Sequence, residues 1–149
     1  MKGKDRNERP TNDINSTNAK AITNFHDLCE RISKLDSRIA GALVMAKGKI
    51  IATSNGAGAV SPSDEYLSKL IQQAEIMVGI PLANNLFFGD FNFTLVSYER
   101  LDSILFYIKT QRVVLGVGVL PPYDMSVVVG KIRKFLRDYY LHGQMHTMA

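Results

Sequence analysis

Residues 103–120, Ser103-Ile-Leu-Phe-Tyr-Ile-Lys-Thr-Gln-Arg-Val-Val-Leu-Gly-Val-Gly-Val-Leu120, decide the fold. Two apolar runs, Ser103–Lys109 and Val113–Leu120, are joined by Thr110-Gln111-Arg112 alone. A parallel crossover needs about a dozen residues or more, so two strands this close in sequence must be antiparallel neighbours. The second run does not alternate. Val113, Leu115, Val117 and Val119 form one side, while Val114, Gly116, Gly118 and Leu120 form the other. A sheet with one wet face alternates apolar and polar residues, so both faces of this one are expected to be covered.

Upstream, Phe91–Tyr98 reads as a third strand beside these two. Ile39–Ala46 and Lys49–Ser54, split by Lys47-Gly48, read as a β-hairpin. Three helical periods surround the strands. Phe25, Leu28, Cys29, Ile32 and Leu35 mark the first, entered from Thr23 or Asn24 and running to about Asp36. Tyr66, Leu67, Leu70, Ile71, Ala74, Met77 and Val78 mark the second, with Ser61 as cap, Pro62 in the first turn, and Gly79 with Pro81 as its stop. Met125, Val128, Val129, Ile132, Phe135, Leu136 and Tyr139 mark the third, after the break at Pro121-Pro122.

The order α-β-β-α-β-β-β-α predicts an α+β domain built on a five-stranded antiparallel sheet. Two helices, the first and third, fit side by side on one face, which leaves one for the other. Helices pack about 8–10 Å apart, so a lone helix leaves apolar sheet exposed, and soluble monomers seldom tolerate large patches of that kind. A second copy of the middle helix would close the gap through a two-fold axis. A homodimer is therefore expected, although a heterodimer with a relative satisfies the same physics.

The chain of 149 residues carries a net charge of +4 and is 46% hydrophobic, an ordinary globular balance. Residues 1–21 are polar, mixed in charge and expected to be a disordered tail. Residues 22–141 form the expected domain and 142–149 a flexible C-terminal tail. A single cysteine, Cys29, rules out an internal disulfide framework. No signal-peptide pattern is present and the longest apolar stretch is far below the roughly 20 residues of a membrane helix. A cytoplasmic location without membrane insertion is the expectation.

The hairpin GALVMAKGKIIATS, the strand pair SILFYIKTQRVVLGVGVL and the helix entered through Pro121-Pro122-Tyr123-Asp124 together resemble the Roadblock/dynein light chain family. The resemblance spans about residues 24–139 and rests on pattern and order, since the family has no invariant catalytic signature. It implies a dimeric platform with middle helices and edge strands at the seam. That seam is expected at Tyr66, Leu67, Leu70, Ile71, Ala74 and Met77 with Phe91 and Phe93. The partners it implies are a second copy or a related Roadblock subunit, and a small Ras-like GTPase. Its members act without catalytic residues of their own, some prokaryotic ones by rearranging the GTPase's own residues.

Chemistry-bearing patterns are sparse. Gly56-x-Gly58 lacks a third glycine, with Ser61 in its place, and follows a hairpin where a dinucleotide loop needs a βαβ unit. No Walker-type sequence occurs. His142 and His146 are four apart, but Gly143 intervenes near the chain end. His26 is expected to face solvent and Cys29 to pack in the core. Asp64 and Glu65 suit a helix N-terminus, and Glu99 and Asp102 flank Arg100 in what reads as a tight turn. No enzyme, cofactor or metal site is expected.

Lys131, Arg133, Lys134 and Arg137 make a basic face on the last helix, a solvated exterior or a docking surface for an acidic partner. Phe135 and Tyr139 belong to the buried stripe there, which argues against base stacking and nucleic acid. The leading reading is a non-catalytic dimeric protein-binding module. Two alternatives stand beside it: a profilin-like ligand sensor lined by Asn84, Asn85, Asn92 and Thr94 near Phe87, Phe88 and Phe91, and a basic nucleic-acid-associated protein.

Overall fold

The computed structural model describes residues 25–55 and 63–145. The expected N-terminal tail, the Gly56-Gly58 loop, Ser61, Pro62, His146 and the side chain of His142 lie outside the described residues. The architecture is α+β. A helix over residues 25–33 (α1) precedes the hairpin β1 (Ile39–Ala46) and β2 (Lys49–Asn55). Then come α2 (Asp64–Leu82), a short α3 (Asn85–Phe88), β3 (Thr94–Ser97), β4 (Asp102–Ile108), β5 (Val113–Val119) and α4 (Met125–Met145). The five strands form one sheet in the order β2-β1-β5-β4-β3, antiparallel throughout.

Both sheet faces are apolar, as the pattern of β5 demands. On one face Leu28, Cys29 and Ile32 of α1 and Val128, Val129 and Ile132 of α4 pack on Val44, Ile104, Phe106, Val113, Leu115, Val117 and Val119. On the other, Ile71, Ala74 and Val78 of α2 pack on Met45, Leu105 and Val114. Among the described residues no polar or charged side chain is buried, and no helix is long and apolar enough to cross a membrane.

The hairpin turns at Lys47 and Gly48, both at positive φ (51° and 75°), the geometry whose twist suits a two-residue connection. Gly48 N–H donates to Glu75 Oε1 at 2.6 Å, which ties the turn to α2. Asp124 caps α4, accepting from Ser126 N–H at 3.0 Å and Val127 N–H at 3.4 Å. These bonds, with that from the Ser126 hydroxyl first, hold the Asp124 carboxyl below its usual range. Lys131 Nζ lies 3.0 Å from Asp36 Oδ2, across the gap between α4 and the end of α1.

Several local expectations are corrected. Helix α1 ends at residue 33, not near Asp36, because Ser33 turns its hydroxyl back onto the Cys29 carbonyl (2.9 Å) and Asp36 accepts from Arg38 N–H (2.9 Å). The cap of α2 is Ser63, whose hydroxyl accepts from Tyr66 N–H at 3.4 Å, so the helix begins at Asp64, after Pro62. At its other end α2 runs through Gly79 and Pro81 to Leu82. Proline lacks the N–H that would bond the carbonyl four residues back. The Thr94 hydroxyl supplies that donor to Met77 O at 3.2 Å. Strand β3 is shorter than expected. Phe91 N–H donates to Asn85 Oδ1 at 3.0 Å and takes no part in the ladder, which starts at Thr94. Helix α4 continues to Met145, into the segment expected to be a tail.

Candidate interaction surface

The two sheet faces are unequally covered. Helices α1 and α4 lie side by side over one. On the other, α2 reaches full burial only from Ile71 onward, while Tyr66, Leu67 and Leu70 in its N-terminal half stay clear of the core. Between that half and the sheet runs an apolar groove of about 720 Å³. It opens at the end of the sheet where β1 begins and β5 ends.

Glycines make its floor. Gly41 pairs with Gly118 and Leu43 with Gly116 across β1 and β5. A Cβ on Gly116 would stand 3.4 Å from Leu43, 3.4 Å from Met45 and 3.5 Å from Leu105, so the missing side chain is space in the groove. Leu67, Leu70 and Met77 form one wall, and Tyr98 and Leu101 from the β3–β4 turn flank the groove at the end where β5 finishes.

A second apolar feature occupies the outer side of α2. Tyr66 (57% exposed), Ile76 (61%) and Ile80 (65%) face solvent. At the C-terminal end of α2, the short α3 presents Leu86, Phe87 and Phe88, exposed to 89%, 79% and 86%. Large exposed apolar patches are a common mark of interaction sites in soluble proteins.

The expected seam residues do not share one surface. Tyr66, Leu67, Leu70, Ile71, Ala74 and Met77 all line the groove, Ile71 and Ala74 from positions buried against the chain's own sheet. Phe91 packs with the α2 layer, whereas Phe93 packs on the opposite face, its ring 6.0 Å from that of Phe106. Ile76 and Ile80 are not among the residues expected at the seam. Their i, i+4 spacing, off the buried stripe, is the signal in the sequence that marks them.

The basic face is also divided. Lys131 is engaged with Asp36, and Arg133 Nη2 donates to Asn92 Oδ1 at 3.3 Å; Lys134 and Arg137 are exposed. The residues expected to line a ligand sensor do not converge either. Thr94 is spent on Met77, Asn92 on Arg133, and Asn85 on Phe91 N–H. Asn84, Asn85, Phe88 and Phe91 line only a shallow hollow of about 220 Å³.

Cys29 is fully buried, and burial pushes its thiol up to about 11. His26 is exposed. Asp102 accepts from the Ser97 hydroxyl and the Tyr123 hydroxyl, both at 2.6 Å, which holds its carboxyl below the usual range. Among the described residues no group of three or more His, Cys, Asp or Glu could hold a metal ion.

No protein-family model matches the sequence. No curated protein matches it either. Solved structures do share its fold. MglB of Myxococcus xanthus superposes with a TM-score of 0.61 at 18% identity, over 86% of this chain and 92% of its own. A Roadblock/LC7 domain from Streptomyces avermitilis gives 0.60 at 10% identity, over 80% and 97%. An MglB with a tetrameric arrangement gives 0.58 at 17%, over 77% and 83%. At these identities the likeness is one of architecture, and on it the chain has the Roadblock fold.

Proposed function

We propose that this chain is a non-catalytic protein-binding module that works as a dimer and engages a small Ras-like GTPase. The observation that carries the dimer is the half-covered sheet face, with the apolar groove beneath Leu67 and Leu70 and the exposed stripe of Tyr66, Ile76 and Ile80 beside it. Burying such surface against a second copy is favourable by about 25 cal/mol per Å² before the cost of association. A tetrameric arrangement of an MglB, similar in fold, supports self-association. The GTPase comes from the family resemblance, in which partners of that class dock on the Roadblock platform.

Two measurements test the reading. Light scattering on the purified chain at micromolar concentration should give twice the monomer mass; a monomer overturns the dimer. A tagged pull-down in the presence of a GTP analogue or GDP should retain a small GTPase in the analogue lane only. Retention of no GTPase in either lane overturns that partner and leaves the dimer standing.

A further inference from the structure

The turns at the end of the sheet where β1 stops and β5 starts carry cations at uncommon backbone positions. Lys47 and Arg112 stand in the β1–β2 and β4–β5 turns at positive φ, 51° and 54°. Side chains other than those of Asn and Asp seldom adopt that conformation, yet each turn sets a long cation there. Lys49 and Lys109 flank the same turns, and all four are exposed. Strand β1 lies beside β5, with Met45 opposite Val114, so the two turns are neighbours. At about 4.8 Å per strand, the four strand ends span about 15 Å.

An apolar projection stands at the same end. Helix α3 presents Leu86, Phe87 and Phe88, the three most exposed large hydrophobic side chains among the described residues. Two residues on, Asp90 Oδ1 lies 3.7 Å from Lys109 Nζ, which sets α3 beside the β4–β5 turn. The hollow next to it, about 220 Å³, falls below the roughly 300 Å³ of a small-ligand site. Helix α3 is thus shaped to enter something else, not to receive it. Its backbone suits an apolar surrounding, where unbonded polar groups are costly. Phe87 and Phe88 N–H both donate to Asn84 O at 3.1 Å, Gly89 N–H to Asn85 O at 2.9 Å, and Phe91 N–H to the Asn85 side chain at 3.0 Å.

Charge reverses along the sheet. At this end Asp90 is matched with Lys109, and the Glu75 carboxylate is turned to Gly48 N–H. Lys47, Lys49 and Arg112 enter no ion pair among the described residues. At the opposite end Asp64, Glu65, Glu99, Asp102 and Asp124 outnumber Arg38, Lys69 and Arg100, with Asp36 and Lys131 paired. Such a distribution turns the α3 end toward a negative surface. No other exposed face combines the two features. The outer stripe of α2 has no basic residue in its last turn. On α4, Lys134 and Arg137 lie about two turns from the exposed Met125 and Val127.

We infer that this end of the molecule docks on an anionic lipid surface. Leu86, Phe87 and Phe88 enter the headgroup layer, while Lys47, Lys49 and Arg112 reach lipid phosphates. Lasting attachment of a peripheral protein takes two signals, an apolar anchor and a basic patch, and each cation near the surface adds about fivefold. The contact spans nothing. It uses neither the groove nor the Tyr66, Ile76 and Ile80 stripe, so it stands apart from the dimer and the GTPase proposed above.

Cosedimentation of the full chain with lipid vesicles tests it. Phosphatidylcholine vesicles with about 30% phosphatidylglycerol should bind about tenfold or more tightly than phosphatidylcholine alone, and the excess should fall as salt rises. Lys47→Asn/Arg112→Asn keeps a residue that tolerates positive φ, and should weaken anionic binding by about 20-fold. Phe87→Ser/Phe88→Ser should weaken it by about tenfold or more, with the light-scattering mass and the circular dichroism melt unchanged. Lys134→Gln/Arg137→Gln should bind like the parent. The chain holds no tryptophan, so Phe87→Trp adds a single reporter whose emission should shift to the blue on anionic vesicles.

Equal binding to both compositions, or to neither, overturns the inference. Undiminished binding by Phe87→Ser/Phe88→Ser leaves other charges holding the chain to lipid and overturns it as well. A fall in that variant's mass without lipid makes α3 a contact between copies, and loss of binding in Lys134→Gln/Arg137→Gln moves the lipid face to α4; either result sinks it. A monomeric parent that still binds anionic vesicles refutes the dimer and supports this face.

Discussion

The Thr94 hydroxyl donates to the Met77 carbonyl at 3.2 Å, joining the first residue of β3 to the carbonyl that Pro81 leaves without a helical partner. This bond lets α2 run past its expected end to Leu82 and delivers α3 to the tip of the sheet. Thr94→Val keeps the shape but strands a partly buried carbonyl. It should cost about 1–2 kcal/mol in urea unfolding, with a larger loss of amide protection at residues 78–82 than in β1 or β5. Thr94→Ser should restore most of it.

Asp102 and Tyr123 make stability depend on pH at both extremes. The Ser97 and Tyr123 hydrogen bonds keep the Asp102 carboxyl below its usual range. Its contribution is complete above the ordinary aspartate value of about 3.9 and is lost as pH falls through the lower, folded value. Burial, then the bond to Asp102, pushes Tyr123 up to about 12. That contribution is complete below about 10 and is lost as pH rises toward 12. In a difference titration at 295 nm against Tyr123→Phe, one phenol should ionise near 12, and Asp102→Asn should bring it down. An unshifted phenol in the parent would contradict the contact.

Cys29 should be inert while the chain is folded. Its thiol, fully buried and raised to about 11, exposes neither sulfur nor thiolate at pH 8. Ellman's reagent should react with one equivalent only after denaturant is added. Above pH 9 the unfolded thiol ionises and the folded one does not, so this share of stability declines from pH 9 toward 11.

Two glycines should respond in opposite directions to alanine. A Cβ at Gly41 would stand 2.8 Å from the Ser54 carbonyl of the paired strand, so Gly41→Ala must shift β1 against β2 and lower the melting temperature. At Gly79 a Cβ meets nothing within 4 Å, and the residue lies inside α2. Gly79→Ala should stabilise the fold by about 0.5–1 kcal/mol, since glycine is the poorer helix former.

Much of the fold is legible in the amino-acid sequence. Antiparallel pairing of β4 and β5 follows from a link too short to cross over, and the doubly covered sheet from a β5 strand apolar on both sides. The bounds of β1 match the run Ile39–Ala46, and the α4 stripe matches its buried face from Val128 to Tyr139, with Met125 left exposed. The seam is less legible. Phe91 and Phe93 are two apart, and a continuous strand would place both on one face. The Asn85–Phe91 bond breaks the ladder there, and the pair ends on opposite faces.

The sequence by itself determined the elements and their polarity, because apolar period and link length are local properties carried by the residues themselves. Ser61 with Pro62 and Ser63 with Asp64 are both plausible local starts for α2, and only the folded chain chooses between two such signals. The length of α2, the division of the basic face between Asp36 and Asn92, and the groove over Gly41, Gly116 and Gly118 were decided by tertiary structure. Each depends on a partner far away in sequence: Thr94 for the Met77 carbonyl, Asp36 for Lys131, and the tilt of a helix across a sheet for the space beneath Leu67 and Leu70.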